Sequence, residues 1–404
     1  MDAPAPSPPK SRSLATTLRL GGTLGLQFML LGIWLPFFAP YLESRGLDRD
    51  RIGLIFAGMT IVRIPILPWI GRAADRWNRS RLLIGVLAAA SLAAFSGIFL
   101  VDGFGPIFGV LLIYICCSCA VIPLTENLAV VHSAEGRVDF GRVRVIGSLA
   151  FLGTALGVGH LLEAQPISLV PVLLCATWAL VLLSTPILPE MSRVAPGAEG
   201  RLSALGLLRR RDFVLALVVA GLVQSSHAVY YSYGSILWKD VGLDEGTIGA
   251  LWATGVLAEV VLFVFQARLF KGFKPSHLLM LGAAGGVLRC VLTAETDDPA
   301  LLFPLQCLHA LSFAATHLGA MRYLQVYIPR DSIATGQALY SSIVTGVFLG
   351  LANLLAASLV EDLGRLTYFS GAVSCTLALL LGLWLRLRKR RKERLGLVDV
   401  ERLA

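Results

Sequence analysis

The chain has 404 residues, 56% of them hydrophobic and 15% charged, with a mean hydropathy of +0.73. That composition excludes an ordinary soluble domain, whose apolar residues are fewer and are not gathered into runs of about twenty, the length that crosses a bilayer core. A formal net charge of +9 would suggest nucleic acid in a soluble protein. Here the basic residues collect in turns on one side of the apolar runs, where they orient the chain and touch anionic lipid, so nucleic acid is excluded as a partner.

In chain order, Met1 to Ser13 is rich in Pro and Ser, and residues 1–18 read as a disordered cytoplasmic N-terminus without a cleavable signal. Apolar runs predict helices over 19–42, 51–70, 81–101, 105–131, 143–162 and 168–188, an N-terminal six-helix bundle across 19–188. Residues 189–211, with Pro189, Pro196, Gly197 and Arg209 to Arg211, form a cytoplasmic linker. Helices over 212–238, 246–268, 277–294, 299–324, 333–359 and 363–385 make a second bundle across 212–385, followed by a basic cytoplasmic tail, 386–404. The fold class is therefore an all-α membrane protein of twelve spans in two pseudo-symmetric six-helix bundles. Arg and Lys crowd every second connection, which sets both termini in the cytoplasm.

The halves repeat. Gly46-Leu47-Asp48, Ile52-Gly53 and Ala57 recur 196 residues later as Gly242-Leu243-Asp244, Ile248-Gly249 and Ala253. Each copy opens an apolar run with one charge at the same register, Arg63 in the first and Glu259 in the second; Glu126 likewise falls on Arg322. Related halves with complementary charges read as a transporter whose pathway lies between them. Gly153-x-x-x-Gly157 and Gly346-x-x-x-Gly350 are spaced for close backbone approach. All seven cysteines fall inside spans, with no disulfide framework and no metal spacing, so neither metal nor cofactor is expected.

The turn after the second span reads Gly71-Arg-Ala-Ala-Asp75-Arg76-Trp-Asn-Arg79-Ser-Arg81. It resembles the signature loop of the major facilitator superfamily at Gly71, Asp75, Arg76 and Arg79; Asn78 stands where the second glycine is expected, and Ser80-Arg81 blurs the final basic pair. The resemblance implies a conformational latch, with Gly71 permitting close helix approach and Asp75 pairing with arginine or a helix end.

Ionisable residues inside spans are costly and are functional candidates by default. Counting about 1.5 Å per residue sets Arg63, His227, Glu259, Arg289 and His309 near mid-membrane, with Glu126, His317 and Arg322 nearer the cytoplasm. His309 and His317 share one helical face. The five central residues can be satisfied only by converging on each other or on a polar cavity. Gln224-x-x-His227-Ala228-x-Tyr230-Tyr231, Leu251-Trp252-x-x-Gly255-Val256-x-Ala258-Glu259-Val260 and His309 to His317 with Ala320-Met321-Arg322-Tyr323 resemble the phenylpropionate permease family. Pro123 to Glu126 and Gly141 to Arg144 with Gly147-Ser148 fit as well. Relatives of that family include lactose–proton and nucleoside–proton symporters. The resemblance implies a bacterial inner-membrane protein, proton-coupled uptake, and an aromatic carboxylate such as 3-phenylpropionate as cargo, although close relatives differ in cargo.

Each candidate has an expected role. Glu259 is the principal protonatable carboxylate, tuned by Arg289 or Arg63, with His227 and His309 as further proton carriers. Arg63 offers a bidentate fork to an anionic group on the cargo. Tyr230, Tyr231 and Trp252 can stack on a ring, and Gln224 and His317 can add hydrogen bonds. Glu126 with Arg142 or Arg144, and Arg322, serve an inner gate. The expected partners are a small-molecule substrate, protons and the bilayer, around a monomer. The alternatives are a nucleoside or sugar symporter and a proton-driven efflux antiporter, whose Gly-Pro-x-x-Gly-Gly pattern the fifth span lacks. A channel is disfavoured by the two-half design, and an enzyme by the absence of a metal box or nucleophile elbow.

Overall fold

The computed structural model describes residues 13–77, 79–190, 203–329 and 332–394. Twelve helices run through them: α1 Leu14–Ser44, α2 Arg49–Trp77, α3 Ser80–Phe99, α4 Phe104–Ala134, α5 Phe140–Ala164 and α6 Leu169–Ile187. Then come α7 Arg211–Asp240, α8 Glu245–Leu269, α9 Pro275–Glu295 and α10 Pro299–Tyr327. The helix α11 is built from Ile333–Ser342, a π-turn at Ile343–Phe348 and Leu349–Leu363, and α12 is Tyr368–Arg394. No strand occurs among the described residues. Length and hydropathy qualify eleven helical stretches as spans, the last running 335–384. It is cut in two where Gly364 takes φ +52° and ends α11, which restores the twelve predicted.

The repeated Gly-Leu-Asp motif is turn chemistry. Gly46 and Gly242 adopt φ +76° and +87°, left-handed conformations that a side chain would strain. Asp48 and Asp244 then accept backbone N–H groups of Arg51 and Thr247 at 2.9 and 2.6 Å, capping α2 and α8. At Asp244, which lies outside the spans, the Thr247 N–H holds the carboxyl below its ordinary range.

Three boundaries correct the sequence reading. Residues 14–18 are helical rather than disordered, because the Ser13 side chain caps Thr16 N at 3.3 Å and the Ser13 N–H donates to Arg137 O at 2.9 Å. The 189–211 segment holds one helical turn, Ala204–Leu208, capped by Ser203, and α7 already starts at Arg211. The last helix continues past residue 385 to Arg394. Residues 1–12, 191–202 and 395–404, parts of the expected N-terminus, linker and tail, lie outside the described residues.

The chain forms two compact units, residues 1–196 with 243–253 and residues 197–242 with 254–404. In the first, α1 lies along α5: Gly21 receives the Ile146 side chain, and Gly32 faces the Phe151 carbonyl and Thr154. The 243–253 segment joins this unit through backbone contact. Gly249 rests on the Ala155 carbonyl and Gly159, and Gly159 meets the Glu245 carbonyl. Of the approach sites expected from sequence, Gly71, Gly153 and Gly157 are not used, since a Cβ there would meet open space. In the second unit α9 lies against α10, Gly282 receiving Thr316 and Gly285 receiving Leu311. An apolar core of Phe213, Leu217, Val223, Leu279, Leu324 and Val344 ties α7, α9, α10 and α11 together.

Besides the π-turn in α11, two irregularities interrupt the helices of the second unit. The helix α7 breaks at Ser226 and His227, whose N–H groups donate back to Val223 O and Gln224 O in tight turns at 3.2 and 3.1 Å. In α10, residues Ala310–Ala315 form a π-turn, a bulge that re-aims side chains and recurs at functional sites.

Candidate transport site

The break in α7 and the π-turn in α10 bring α7, α8 and α10 together around one buried polar cluster. Glu259 on α8 reaches His309 on α10, Oε1 to Nε2 at 3.0 Å, with side chains 15% and 5% exposed. His227, at the break in α7, meets His309 edge-on with ring centres 4.9 Å apart. Its Nδ1 lies 3.2 Å from the Gln224 carbonyl and its Nε2 lies 3.1 Å from Ser312 Oγ, which the π-turn presents. A carbonyl only accepts, so Nδ1 carries a proton in either charge state. The Ser312 hydroxyl then donates to Nε2 of the neutral ring, or accepts from the charged ring while turning its hydrogen to the carbonyls of Leu308 or His309 at 3.4 and 3.3 Å. That exchange keeps His227 hydrogen-bonded whether or not it holds a second proton.

Arg289 on α9 is 3% exposed. Its Nη2 donates to Gln306 Oε1 at 3.2 Å, and its guanidinium lies 4.4 Å over the Tyr230 ring. The sequence suggests Arg289 as a tuner of Glu259; in the structure His309 takes the carboxylate and Arg289 turns to an amide and an aromatic face. Tyr230 and Tyr231 stand 5.4 and 6.1 Å from the His309 ring. From His309 a stacked ladder runs along one face of α10 through Phe313 to His317, at 5.4 and 6.4 Å, and His317 Nδ1 lies 3.4 Å from Tyr340 Oη.

Four of the five mid-membrane residues named from sequence therefore share one cluster, with Gln224, Tyr230 and Tyr231. Arg63 belongs to the first unit, half-buried on α2 within electrostatic reach of Cys119. Trp252, 2% exposed, lies in the segment that packs with that unit. Also there, Glu126 pairs with Arg144, whose guanidinium lies 4.6 Å over Phe28, while Gln27 donates to Thr125 at 2.8 Å. Arg142, Arg76 and Arg79 are exposed, and the Asp75 side chain lies outside the described residues. Arg322 donates to the Phe270 carbonyl just past α8 at 3.3 Å.

Three residues of the cluster, Gln306, Ser312 and Tyr368, are not marked by sequence reasoning. Neutral polar side chains occur throughout membrane helices, so nothing in their type singles them out; only their place in the folded cluster does.

Twelve apolar helices with a buried acid, bases and a cation in one unit define a multi-pass membrane transporter. The chain belongs to the MFS_1 like family, whose pattern matches residues 17–368, and so to the major facilitator transporters. It is 29% identical over 353 residues to "Probable 3-phenylpropionic acid transporter" of Escherichia coli (strain K12), covering 84% of this chain and 89% of that protein. It is 28% identical over 377 residues to "Maltose permease" of Geobacillus stearothermophilus, covering 91% and 93%. Among solved structures, the nucleoside transporter NupG superposes with a TM-score of 0.78 at 16% identity, covering 92% of this chain and 98% of that one. A bacterial homolog of the human lysosomal transporter Spinster gives 0.67 at 13% identity, covering 93% and 96%. At those identities the likeness is one of fold.

Proposed function

We propose that the protein imports a small organic solute together with a proton across a bacterial inner membrane, by alternating access, and that the solute is an aromatic carboxylate of the 3-phenylpropionate type. The observation that carries this reading is the Glu259–His309 contact at 3.0 Å: a carboxylate and an imidazole sharing one hydrogen bond, almost wholly out of water, form a site that can hold or release one proton. His227, through Ser312, is a second proton holder beside it. Tyr231, Gln224 and His317 of the second unit are cargo contacts, and the Gly71 to Arg79 loop, the Glu126–Arg144 pair and Arg322 act in gating. The names of the relatives span a phenylpropionic acid and a maltose carrier, so cargo must be decided by assay. Purified protein in liposomes with an imposed pH gradient is offered 3-phenylpropionate, other aromatic acids, nucleosides and β-galactosides. Acid-driven accumulation of an aromatic acid is expected. Uptake of none of them, with export of a cationic dye instead, overturns the reading in favour of efflux.

A further inference from the structure

Arg289 is a buried cation with no carboxylate in ion-pairing distance among the described residues. Two ion pairs among the described residues of the second unit use other groups, Glu259 with His309 and Arg365 with Asp297. The ring contact and the hydrogen bond to the Gln306 amide oxygen do not neutralise Arg289, and an unpaired charge at 3% exposure is among the costliest features a helix bundle can carry. The surrounding polar atoms are donors in excess. Arg289 Nε, Gln306 Nε2 and Tyr368 Oη are buried and make no hydrogen bond, while Gln306 Oε1 is already occupied by Arg289. The two tyrosines meet at Gly234, where a Cβ would stand 3.1 Å from the Tyr230 ring and 3.3 Å from Tyr368 Oη. One small volume thus gathers a guanidinium, an amide N–H and a phenol O–H, fixed from below by an aromatic face.

We infer that Arg289, Gln306 and Tyr368 form the receptor for the carboxylate of the cargo. A carboxylate presents two coplanar acceptors to the Nε edge of the guanidinium, the geometry that arginine matches and an ammonium does not. Its remaining lone pairs take the Gln306 and Tyr368 donors. The anion also comes to lie beside the proton site: Gln306 precedes His309 by three residues on α10, and the Tyr230 ring under Arg289 is 5.4 Å from the His309 ring. Cargo charge and proton charge then offset one another inside one dry cluster, so each favours binding of the other. This deepens the function proposed above and rests on its carboxylate cargo.

The test is equilibrium binding to the full-length protein in nanodiscs, using acetate, benzoate and 3-phenylpropionate, each against its uncharged amide. Wild-type protein is expected to favour at least one acid over its amide by about tenfold or more. In Arg289→Gln that ratio falls to about one, and in Arg289→Lys it survives in part. Tyr368→Phe, which removes a single oxygen, is expected to weaken the acid by about two- to tenfold, the worth of one hydrogen bond. An unchanged acid-to-amide ratio in Arg289→Gln with a normal melting profile overturns the receptor. If no acid binds better than its amide in wild-type protein, the receptor is equally overturned. The parent reading fails separately. A preference confined to acetate removes the aromatic cargo, and uptake indifferent to a pH gradient removes proton coupling, while either leaves the Arg289 dependence standing.

Discussion

Replacing Glu259 with Gln tests the coupling site with a magnitude that comes from its geometry. The carboxylate and His309 share one hydrogen bond at 3.0 Å and are 15% and 5% exposed, and on the proposed function this pair would exchange one proton per cycle. One proton moving down a gradient of one pH unit supplies about 1.4 kcal/mol, which supports a solute ratio of about ten. Liposomes holding wild-type protein are therefore expected to concentrate the solute about tenfold per pH unit. The amide introduced by Glu259→Gln still reaches the His309 ring but cannot take the proton, so accumulation falls to a ratio of about one while exchange of labelled for unlabelled solute continues. With an anionic cargo, one proton cancels one carboxylate, so a potassium diffusion potential alone is expected to drive nothing. Undiminished accumulation by Glu259→Gln would remove this residue from coupling. Accumulation driven by the potential would refute the one-proton count.

Other consequences are more local. Ser312→Ala removes the partner of a fully buried His227 nitrogen, a loss of about 1–3 kcal/mol, read as a lower melting temperature in detergent together with slower proton-driven uptake; Ser312→Thr, which keeps the hydroxyl, is expected to restore both. Asp244→Ala removes the cap of α8 at a cost of about 0.5–2 kcal/mol. Because the Thr247 N–H holds the folded Asp244 carboxyl below its ordinary value, the stabilisation is fully present above about pH 4 and is lost as pH falls through the lowered folded value. Protection of the amides of residues 245–248, their exchange relative to the intrinsic rate at each pH, is thus expected to fall in wild-type protein at strongly acid pH and to show no such step in the variant. Gly249→Leu forces a side chain into the Ala155 carbonyl and Gly159, and overpacking of about 1–3 kcal/mol or more should depress the melting temperature, whereas Gly153→Ala, facing open space, should leave it unchanged.

What the sequence discloses about this molecule depends on the dimension in which each constraint acts. Span length is set by bilayer thickness along one axis, so a helix such as Glu245–Leu269 is bounded by its apolar run, 246–268, to within a residue or two without any tertiary knowledge. Cap chemistry is equally local, which is why the repeated Gly-Leu-Asp strings mark two structurally equivalent turns. Cost also speaks in one dimension: His227, Glu259, Arg289 and His309 are conspicuous because ionisable groups are rare in spans, and the requirement that they be satisfied implies that they meet. Pairing is different. Whether Glu259 faces Arg289 or His309 depends on the rotation of α10, and six residues wound as a π-turn turn everything beyond them away from its α-helical bearing. A spacing such as Gly153-x-x-x-Gly157 states that a backbone could be approached; it does not say by what, and the contact forms instead on the neighbouring pair, from Ala155 and Gly159 to Gly249. The neutral residues Gln306, Ser312 and Tyr368 carry no signal at all until the fold sets them beside Arg289 and His227. The chemistry of the site is therefore written in its charged residues, and its partners are chosen by two departures from regular helix that sequence periodicity cannot register.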